Sequence, residues 1–468
     1  MKRQVKRVSA LGLAVLMLLL ILPVSSLAAD GTRYVVRYRS GAEQAREGAH
    51  GGPFGSVDAK ELGRLLAADA LEWYEEDQEL RFPDASVPAE ADSALLQADT
   101  ADTSWPLAMI GAPLDPALGK GVRVAVIDSG ANAHADLEGC LAPGWNYVDN
   151  NSDTADSNGH GTAVCGLIAG CGDHGLLGAA PGAELVPLKC FVSDKGKVSL
   201  ICEALAAAVD EYGCSVINMS LSLSERSSGR RALEEAVKYA QERGAVVVAA
   251  VGNGGTATAY YPALMDDVIG VGAVDRSGMI YYRSNHNSSV FLTAPGVDVE
   301  SLSGLDGYAR FTGTSFAAPF VTGAVAAMKS LRPGADIAVL QELLAANATD
   351  RGLDGYDPYY GNGILHLGRC LNVLTGEEGV RLSPPGTGET QAFVRNGTGA
   401  GLEAWLIGVS TDRWGGQRVE FTVPLSPGPW QWLRVEVPEG DWKLFLVSRE
   451  DGIPLCAALF AAQVRQNE

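Results

Sequence analysis

The chain has 468 residues, of which 47% are hydrophobic and 20% are charged. This composition is typical of a globular protein and excludes a wholly disordered chain, and the length favours more than one folded unit. The formal net charge of −20 argues against nucleic acids and anionic membranes as partners, because phosphate groups bind clustered lysine and arginine side chains.

The N-terminus has the three parts of a secretory signal. Four basic residues lie within positions 2–7, an apolar run extends over Leu11–Val24, and the small-residue stretch Ser25–Ala29 follows. The apolar run is shorter than the roughly 18 residues that a membrane span needs, and Ser26-Leu27-Ala28 fits the cleavage rule. We therefore predict a signal peptide over residues 1–29 and a secreted mature protein, with an uncleaved membrane anchor as the alternative.

A small α+β unit is predicted after the signal. Residues Arg33–Arg39 alternate as in a strand, Ala59–Ala70 has helical periodicity, and Leu71–Phe82 has the pattern of a further strand. From Pro83 to Thr103 the sequence is acidic, rich in alanine and serine and weakly periodic, which indicates an exposed linker open to cleavage.

The next segment, from about Gly121, has the pattern of an α/β domain. Short runs rich in valine, isoleucine and alanine, typical of parallel strands buried on both faces, alternate with helical stretches. The predicted strands are Val122–Ile127, Leu185–Phe191, Val216–Leu221, Ala245–Val251 and Val268–Val274. The predicted helices are Gly161–Ala169, Leu200–Tyr212, Arg230–Arg243, Ser315–Ser330 and Asp336–Ala346. Active sites in such folds lie at the carboxyl ends of the strands.

The last segment, residues 376–468, has a different texture. Alternating runs such as Ala404–Val409 and Arg418–Val423 are separated by glycine, proline and aspartate. This pattern predicts a C-terminal all-β domain.

Four polar residues lie at predicted strand or helix ends. Asp128 ends the strand GVRVAVID, His160 lies between glycines at a helix start, Ser315 lies in the first turn of a helix, and Asn253 follows the strand AVVVAAV. Each has a structural alternative when taken alone: Asp128 as a cap, Ser315 as an N-cap and Asn253 as a left-handed turn residue. Together they supply the hydroxyl, the imidazole base, the orienting carboxylate and the oxyanion donor that nucleophilic acyl transfer requires.

The order Asp, His, Ser along the chain differs from that of chymotrypsin and of the α/β-hydrolases. The blocks VAVIDSG, GHGTAVCG, VGNGG and GTSFAAPFVTG resemble the four signature blocks of the subtilisin-like serine peptidase family, over roughly Trp105–Leu374. The resemblance implies a subtilisin-like parallel sheet flanked by helices. It also implies a serine endopeptidase with Ser315 as nucleophile, His160 as base, Asp128 as orienting acid and Asn253 as oxyanion donor.

The same resemblance implies a domain plan. Residues 30–103 would be an inhibitory propeptide and linker that the enzyme itself removes, with the cut in the acidic linker, and residues 104–375 the catalytic domain. Substrates would be proteins or peptides that add as a strand to the edge segment Ser220-Leu221-Ser222. Tyr260 stands where relatives carry a small residue at the floor of the specificity pocket, which predicts a shallow pocket and a preference for small side chains. In the alternative, Tyr260 points into solvent or packs elsewhere.

Departures from the family pattern are Ala163, where a second histidine is usual, and Cys165, which we also considered and disfavoured as a nucleophile. Asp136 resembles one calcium ligand of the family, but the loop CGDHGLLG is short, so a structural calcium ion is left as an open alternative without an assigned site, and no cofactor is expected. The acidic loop with Asp149, Asp153 and Asp156 is interpreted as a solvated turn. The eight cysteines match no zinc spacing, and several are expected to be buried apolar residues, although export permits disulfides.

Two rival functions remain. The first is an exported binding protein that has an inactive protease fold and uses its β domain to hold a partner. The second is the acid-acting Ser-Glu-Asp peptidase group, which His160 and Asn253 disfavour.

Overall fold

The computed structural model describes residues 31–40, 52–82, 105–172, 175–224 and 227–375, and strand segments within 379–383, 391–397, 403–411, 417–426, 432–436, 443–449 and 459–460. The predicted signal peptide and the linker with its predicted cleavage point lie outside these described residues. Within them, the search for an apolar helix of membrane-spanning length found none.

The N-terminal unit is a three-stranded antiparallel sheet with one helix. Its strands are β1 (Arg33–Tyr38), β2 (Phe54–Asp58) and β3 (Leu71–Glu76), in the order β2-β1-β3, and helix α1 spans Ala59–Ala67. A small core that includes Val36, Leu62 and Leu71 lies between the helix and the sheet. The unit matches the predicted α+β pattern, with β2 as a strand that the periodicity did not indicate.

Seven parallel strands form the central sheet of the α/β domain. They are β5 (Arg123–Asp128), β6 (Trp145–Asn146), β7 (Glu184–Lys189), β10 (Val216–Met219), β12 (Val246–Ala250), β14 (Val268–Val274) and β15 (Leu292–Pro295). Their spatial order is β15-β14-β12-β10-β5-β7-β6. The order reverses direction around β5 and β10, and this is where parallel α/β sheets open a crevice at their carboxyl ends.

Helices cover both faces of this sheet. They are α2 (Trp105–Met109), α3 (His160–Ala169), α4 (Val198–Asp210), α5 (Arg230–Glu242), α6 (Thr314–Leu331), α7 (Ile337–Asn347) and α8 (Leu367–Thr375). Successive strand residues point to opposite faces, so Val124 and Val126 pack with α3 and α6, whereas Ala125 and Ile127 pack with α4 and α5. Because both faces are buried, the strands are continuously apolar and the sequence pattern identified them.

Short hairpins and bridging strands complete the domain. These are β4 (Glu79–Arg81), β8 (Phe191–Val192), β9 (Lys195–Lys197), β11 (Leu223–Ser224), β13 (Tyr260–Tyr261), β16 (Val299–Ser303) and β17 (Gly307–Phe311). The prediction ran β7 on to Phe191 and β10 on to Leu221. In the structure both strands end earlier, at Lys189 and Met219. The segments that follow them continue along the mouth of the crevice.

The C-terminal region consists of antiparallel strands, as predicted. They are β18 (Gly379–Ser383), β19 (Gln391–Gly397), β20 (Ala404–Thr411), β21 (Gln417–Leu425), β22 (Trp432–Glu436), β23 (Lys443–Ser448) and β24 (Leu459–Phe460). They form two sheets, β18-β19-β22 and β21-β20-β23-β24.

Candidate active site

The four predicted site residues lie at one edge of the central sheet. Asp128 is the last residue of β5, His160 and Ser315 open helices α3 and α6, and Asn253 lies in the loop after β12. All four are at least 97% buried, as expected where several elements converge on a closed crevice.

Asp128 and His160 form a hydrogen-bonded pair. His160 Nδ1 lies 2.8 Å from Asp128 Oδ1 and 3.0 Å from Oδ2, and both side chains are fully buried. The Asp128 carboxylate also accepts hydrogen bonds from the backbone N–H and the hydroxyl of Ser129. Gly161 permits this approach, because a Cβ at that position would collide with the carbonyl oxygen of Gly130.

Asp156 fixes the start of the histidine helix. Its Oδ2 accepts hydrogen bonds from the N–H and hydroxyl of Thr162, and its Oδ1 accepts from the N–H groups of Asn158 and Gly159. Asp156 is buried, so its interpretation as part of a solvated turn was wrong: it satisfies helix donors that would otherwise have no partner. Its position four residues before His160 was the sequence signal that pointed to this capping role.

Ser315 and Asn253 meet at the start of α6. The N–H of Thr314 donates to Asn253 Oδ1 at 2.8 Å, and the Asn253 Nδ2 group has no hydrogen-bond partner in the described part of the chain. Ser315 Oγ and His160 Nε2 are likewise buried and unpartnered among the described residues. Buried polar atoms are nearly always satisfied, so three unsatisfied ones on neighbouring residues indicate a place where a substrate supplies the partners.

The edge segment Ser220-Leu221-Ser222 is tied to the same helix. Ser220 Oγ donates to the carbonyl oxygen of Ser315 at 2.9 Å, and Asn218 Nδ2 donates to Ser220 Oγ at 3.1 Å. Leu221 is fully buried, while Ser222 is partly exposed and forms a strand bridge with Arg81. The predicted substrate segment therefore lies beside Ser315, with an edge that is able to pair with an extended chain.

The end of the N-terminal unit occupies this crevice. Strand β4 pairs antiparallel with β9 on one side, while Arg81 bridges Ser222 on the other. The next residue, Phe82, stacks on the His160 ring with 4.2 Å between ring centroids and on the Phe191 ring at 4.3 Å. The sequence pattern predicted one strand over Leu71–Phe82, whereas the structure has two, β3 and β4, and the pattern did not indicate that the second lies in the crevice.

Tyr260 lies next to the loop that follows β12. It is partly buried and pairs through β13 with Ser224 of β11, and a Cβ at Gly252 would lie 3.5 Å from its ring. The ring thus borders the loop that carries Asn253 and does not extend freely into solvent.

The buried Asp136 carboxylate accepts hydrogen bonds from two other segments of the chain. Its Oδ2 accepts from the N–H of Leu176 at 2.9 Å and from the hydroxyl of Tyr308 at 2.7 Å. Desolvation, together with this hydrogen bond, raises the pKa of Tyr308 well above its ordinary value. No cluster of metal-ligating side chains occurs in the described part of the chain. Both hydrogen bonds to Asp136 are accepted by the same carboxylate oxygen, Oδ2, which therefore helps to hold the fold together.

The seven cysteines in the described ranges carry thiol groups. Six of these seven are buried, the exception being Cys171. Burial raises the pKa of Cys165 well above the usual value, so this thiol stays protonated and is a poor nucleophile. Cys456 lies outside the described residues.

Comparison with known proteins decides the family. The model of the subtilase family, Peptidase_S8, matches residues 119–363. The chain is 35% identical over 315 residues to an alkaline protease of Alkalihalobacillus alcalophilus, covering 66% of this chain and 75% of the relative. It is 38% identical over 250 residues to subtilisin Savinase of Lederbergia lenta, covering 53% and 90% respectively.

The chain belongs to the subtilase family. It is a serine endopeptidase with the subtilisin-like α/β fold. Among solved structures it is similar to fervidolysin from Fervidobacterium pennivorans, described as a keratinolytic enzyme related to subtilisin, with a TM-score of 0.59. That match has 23% identity and covers 93% of this chain and 78% of fervidolysin, which supports the fold alone.

Proposed function

We propose that this subtilase hydrolyses peptide bonds through an acyl-enzyme formed on Ser315. Ser315 Oγ would attack the scissile carbonyl carbon while His160 Nε2 accepts its proton, and His160 would then donate that proton to the leaving amine. Asp128 holds the imidazole through Nδ1 and stabilises the imidazolium that forms. The observation that carries the proposal is the buried Asp128–His160 pair whose free Nε2 lies in the same crevice as the unpartnered Ser315 hydroxyl.

Two donors would stabilise the tetrahedral oxyanion. Asn253 Nδ2 is buried and unpartnered, and its orientation is fixed because Oδ1 accepts from Thr314 N–H. The backbone N–H of Ser315 lies at the start of α6, where the helix dipole favours negative charge. Water, giving its proton to His160, would then attack the acyl carbon, and His160 would return the proton to Ser315 Oγ as the acid product leaves. Apart from this water, every group that the mechanism needs is a side chain or backbone group of this chain, so the proposed reaction uses no cofactor.

We propose further that the protein is an exported precursor and that its N-terminal unit is an inhibitor of its own crevice. Three contacts support this role: β4 pairs with β9 on one side and bridges Ser222 on the other, and Phe82 covers the His160 ring. An extended peptide substrate would need the same two backbone edges, so substrate and N-terminal unit cannot bind together. Export rests on the signal pattern of residues 1–29.

Replacement of Ser315 by alanine tests the chemistry. We expect Ser315→Ala to abolish casein hydrolysis and labelling by a fluorophosphonate, with an unchanged circular dichroism spectrum, because only the nucleophile is lost. A matched control is Ser330→Ala in the same helix, whose hydroxyl donates to Ala327 O and should leave activity intact. Casein hydrolysis that persists in Ser315→Ala would refute the triad, and a wild-type enzyme that takes no fluorophosphonate would favour an inactive binding protein.

A further inference from the structure

Strand β4 shows which side chains of a bound chain face the protein and which face outward. Leu80 is 98% buried and Phe82 is stacked on His160, whereas Glu79 and Arg81 point away from the core with about half of each side chain exposed. This is the alternation of any extended chain, so a substrate in the same place presents its side chains in the same way.

The outward face is lined by a pair of opposite charges on the enzyme. Asp194 lies in the turn between β8 and β9 and Lys195 is the first residue of β9; together they are called the charged turn. Arg81 Nη1 lies 2.7 Å from Asp194 Oδ2. Lys195 Nζ lies 3.5 Å from Glu79 Oε2. Asp194 is also the largest cause that raises the pKa of Arg81. Each enzyme charge therefore faces one outward position of the bound strand.

The charged turn is held in place relative to the catalytic histidine. Asn158, two residues before His160, donates from Nδ2 to the carbonyl oxygen of Ser193 at 3.0 Å and accepts from the His160 N–H through Oδ1. The Asp194 carbonyl oxygen accepts the N–H of Phe82 at 3.3 Å. The contacts of Asn158 remain when the N-terminal unit has left, so they keep the turn in place. The contact with Phe82 is lost with that unit.

We propose that Asp194 and Lys195 give the enzyme a charge preference at two outward substrate positions. Asp194 selects a basic residue at the position that Arg81 occupies, and Lys195 selects an acidic residue two positions earlier, where Glu79 lies. This inference rests on the proposed function, because it takes β4 as the image of a bound substrate. It makes the enzyme favour substrates with alternating apolar and oppositely charged residues before the cleavage point.

The size of the preference follows from exposure. Ion pairs between half-exposed side chains contribute little, so we expect a change of about two- to fivefold in kcat/KM for each charge reversal. The ion pairs are equally strong in the bound substrate and in the transition state. Charge reversal should therefore change KM and leave kcat unchanged.

Profiling of cleavage in a mixed peptide library by mass spectrometry tests the proposal. Active wild-type enzyme should enrich lysine and arginine at one position before the cut and acidic residues two positions further from it. Asp194→Lys should reverse the first preference, Lys195→Glu the second, and 1 M salt should weaken both. The control is Glu242→Lys, an exposed position at the far end of α5, which changes the net charge by the same amount as Asp194→Lys. It should change neither preference.

Library cleavage without these preferences, or preferences that Asp194→Lys leaves in place, would overturn the inference while the proposed peptidase function stands. An enzyme that cleaves no peptide at all would overturn both.

Discussion

Single residues decide what this active site accepts. The Asn253 amide is aimed by one hydrogen bond from Thr314, and the Tyr260 ring lies near Gly252 in the same loop, 3.5 Å from where a Cβ of that residue would be. If Tyr260 forms the floor of the specificity pocket, as the family resemblance implies, its ring removes the volume that a large substrate side chain would fill. We therefore propose that side chains such as alanine and serine are preferred directly before the cleaved bond.

Tyr260→Gly should open this pocket. Burial of a phenylalanine side chain stabilises by about 1.5–3 kcal/mol, so kcat/KM for a peptide with phenylalanine before the cut should rise about tenfold or more. The matched peptide with alanine should change little. Steady-state kinetics on the two peptides measure the ratio, and a wild-type enzyme that already favours phenylalanine strongly would contradict the shallow pocket.

At the scale of elements, the N-terminal unit completes two helices of the catalytic domain. Helices α4 and α5 have no side-chain cap of their own at Lys197 and Gly229. Asp77 accepts from the N–H and hydroxyl of Ser199 at the start of α4, and Glu75 accepts from the N–H of Ala232 at the start of α5. Carboxylates at helix N-termini are stabilising, so these two contacts dock the unit on the domain.

Asp77→Ala should loosen this docking. Loss of an N-cap costs about 1 kcal/mol, which corresponds to a roughly fivefold larger population of the state in which the β4–β9 pairing is open. Hydrogen exchange of the β4 amides in full-length Ser315→Ala protein measures it. The control is Asp336→Ala, which removes the N-cap of α7 away from the docked unit and should leave β4 exchange unchanged. Equal acceleration in both variants would argue against a specific docking role.

At the scale of the whole molecule, protonation of His366 makes the free energy of unfolding depend on pH. His366 is 93% buried, its ring packs against Gly111, and desolvation lowers its pKa from 6.5 to about 4, with Arg369 as a smaller cause. The unfolded chain takes up this proton below about pH 6.5, whereas the folded protein does so only near pH 4. Stability from this residue is therefore complete above pH 6.5 and is lost as the pH falls toward 4.

The expected loss from His366 is about 2 kcal/mol by pH 5. Thermal unfolding between pH 7 and pH 4.5, in the Ser315→Ala background to prevent self-digestion, should show a weaker acid dependence for His366→Phe than for the parent chain. The comparison isolates His366 because the other titrating groups are common to both proteins. Parallel pH profiles would show that His366 is not the acid-sensitive group.

The sequence alone was sufficient to predict the family, the α/β class and the candidate catalytic residues. Strands buried on both faces are continuously apolar, and the candidate catalytic residues lie at strand and helix ends, with His160 and Asn253 between glycines, so both leave local patterns. Glycine at position 161 is one such mark, since only its missing Cβ lets the histidine helix approach β5.

Tertiary structure decided the rest, because it depends on contacts between residues far apart in the chain. Nothing local shows that Asp77 caps a helix 122 residues later, that Asp156 is buried, or that Phe82 stacks on His160. Short edge strands such as β6 and β4 have too few residues for a period, and their pairing comes from the partner edge. The occupied crevice and the charged turn beside it therefore emerge only when the N-terminal unit and the catalytic domain are folded together.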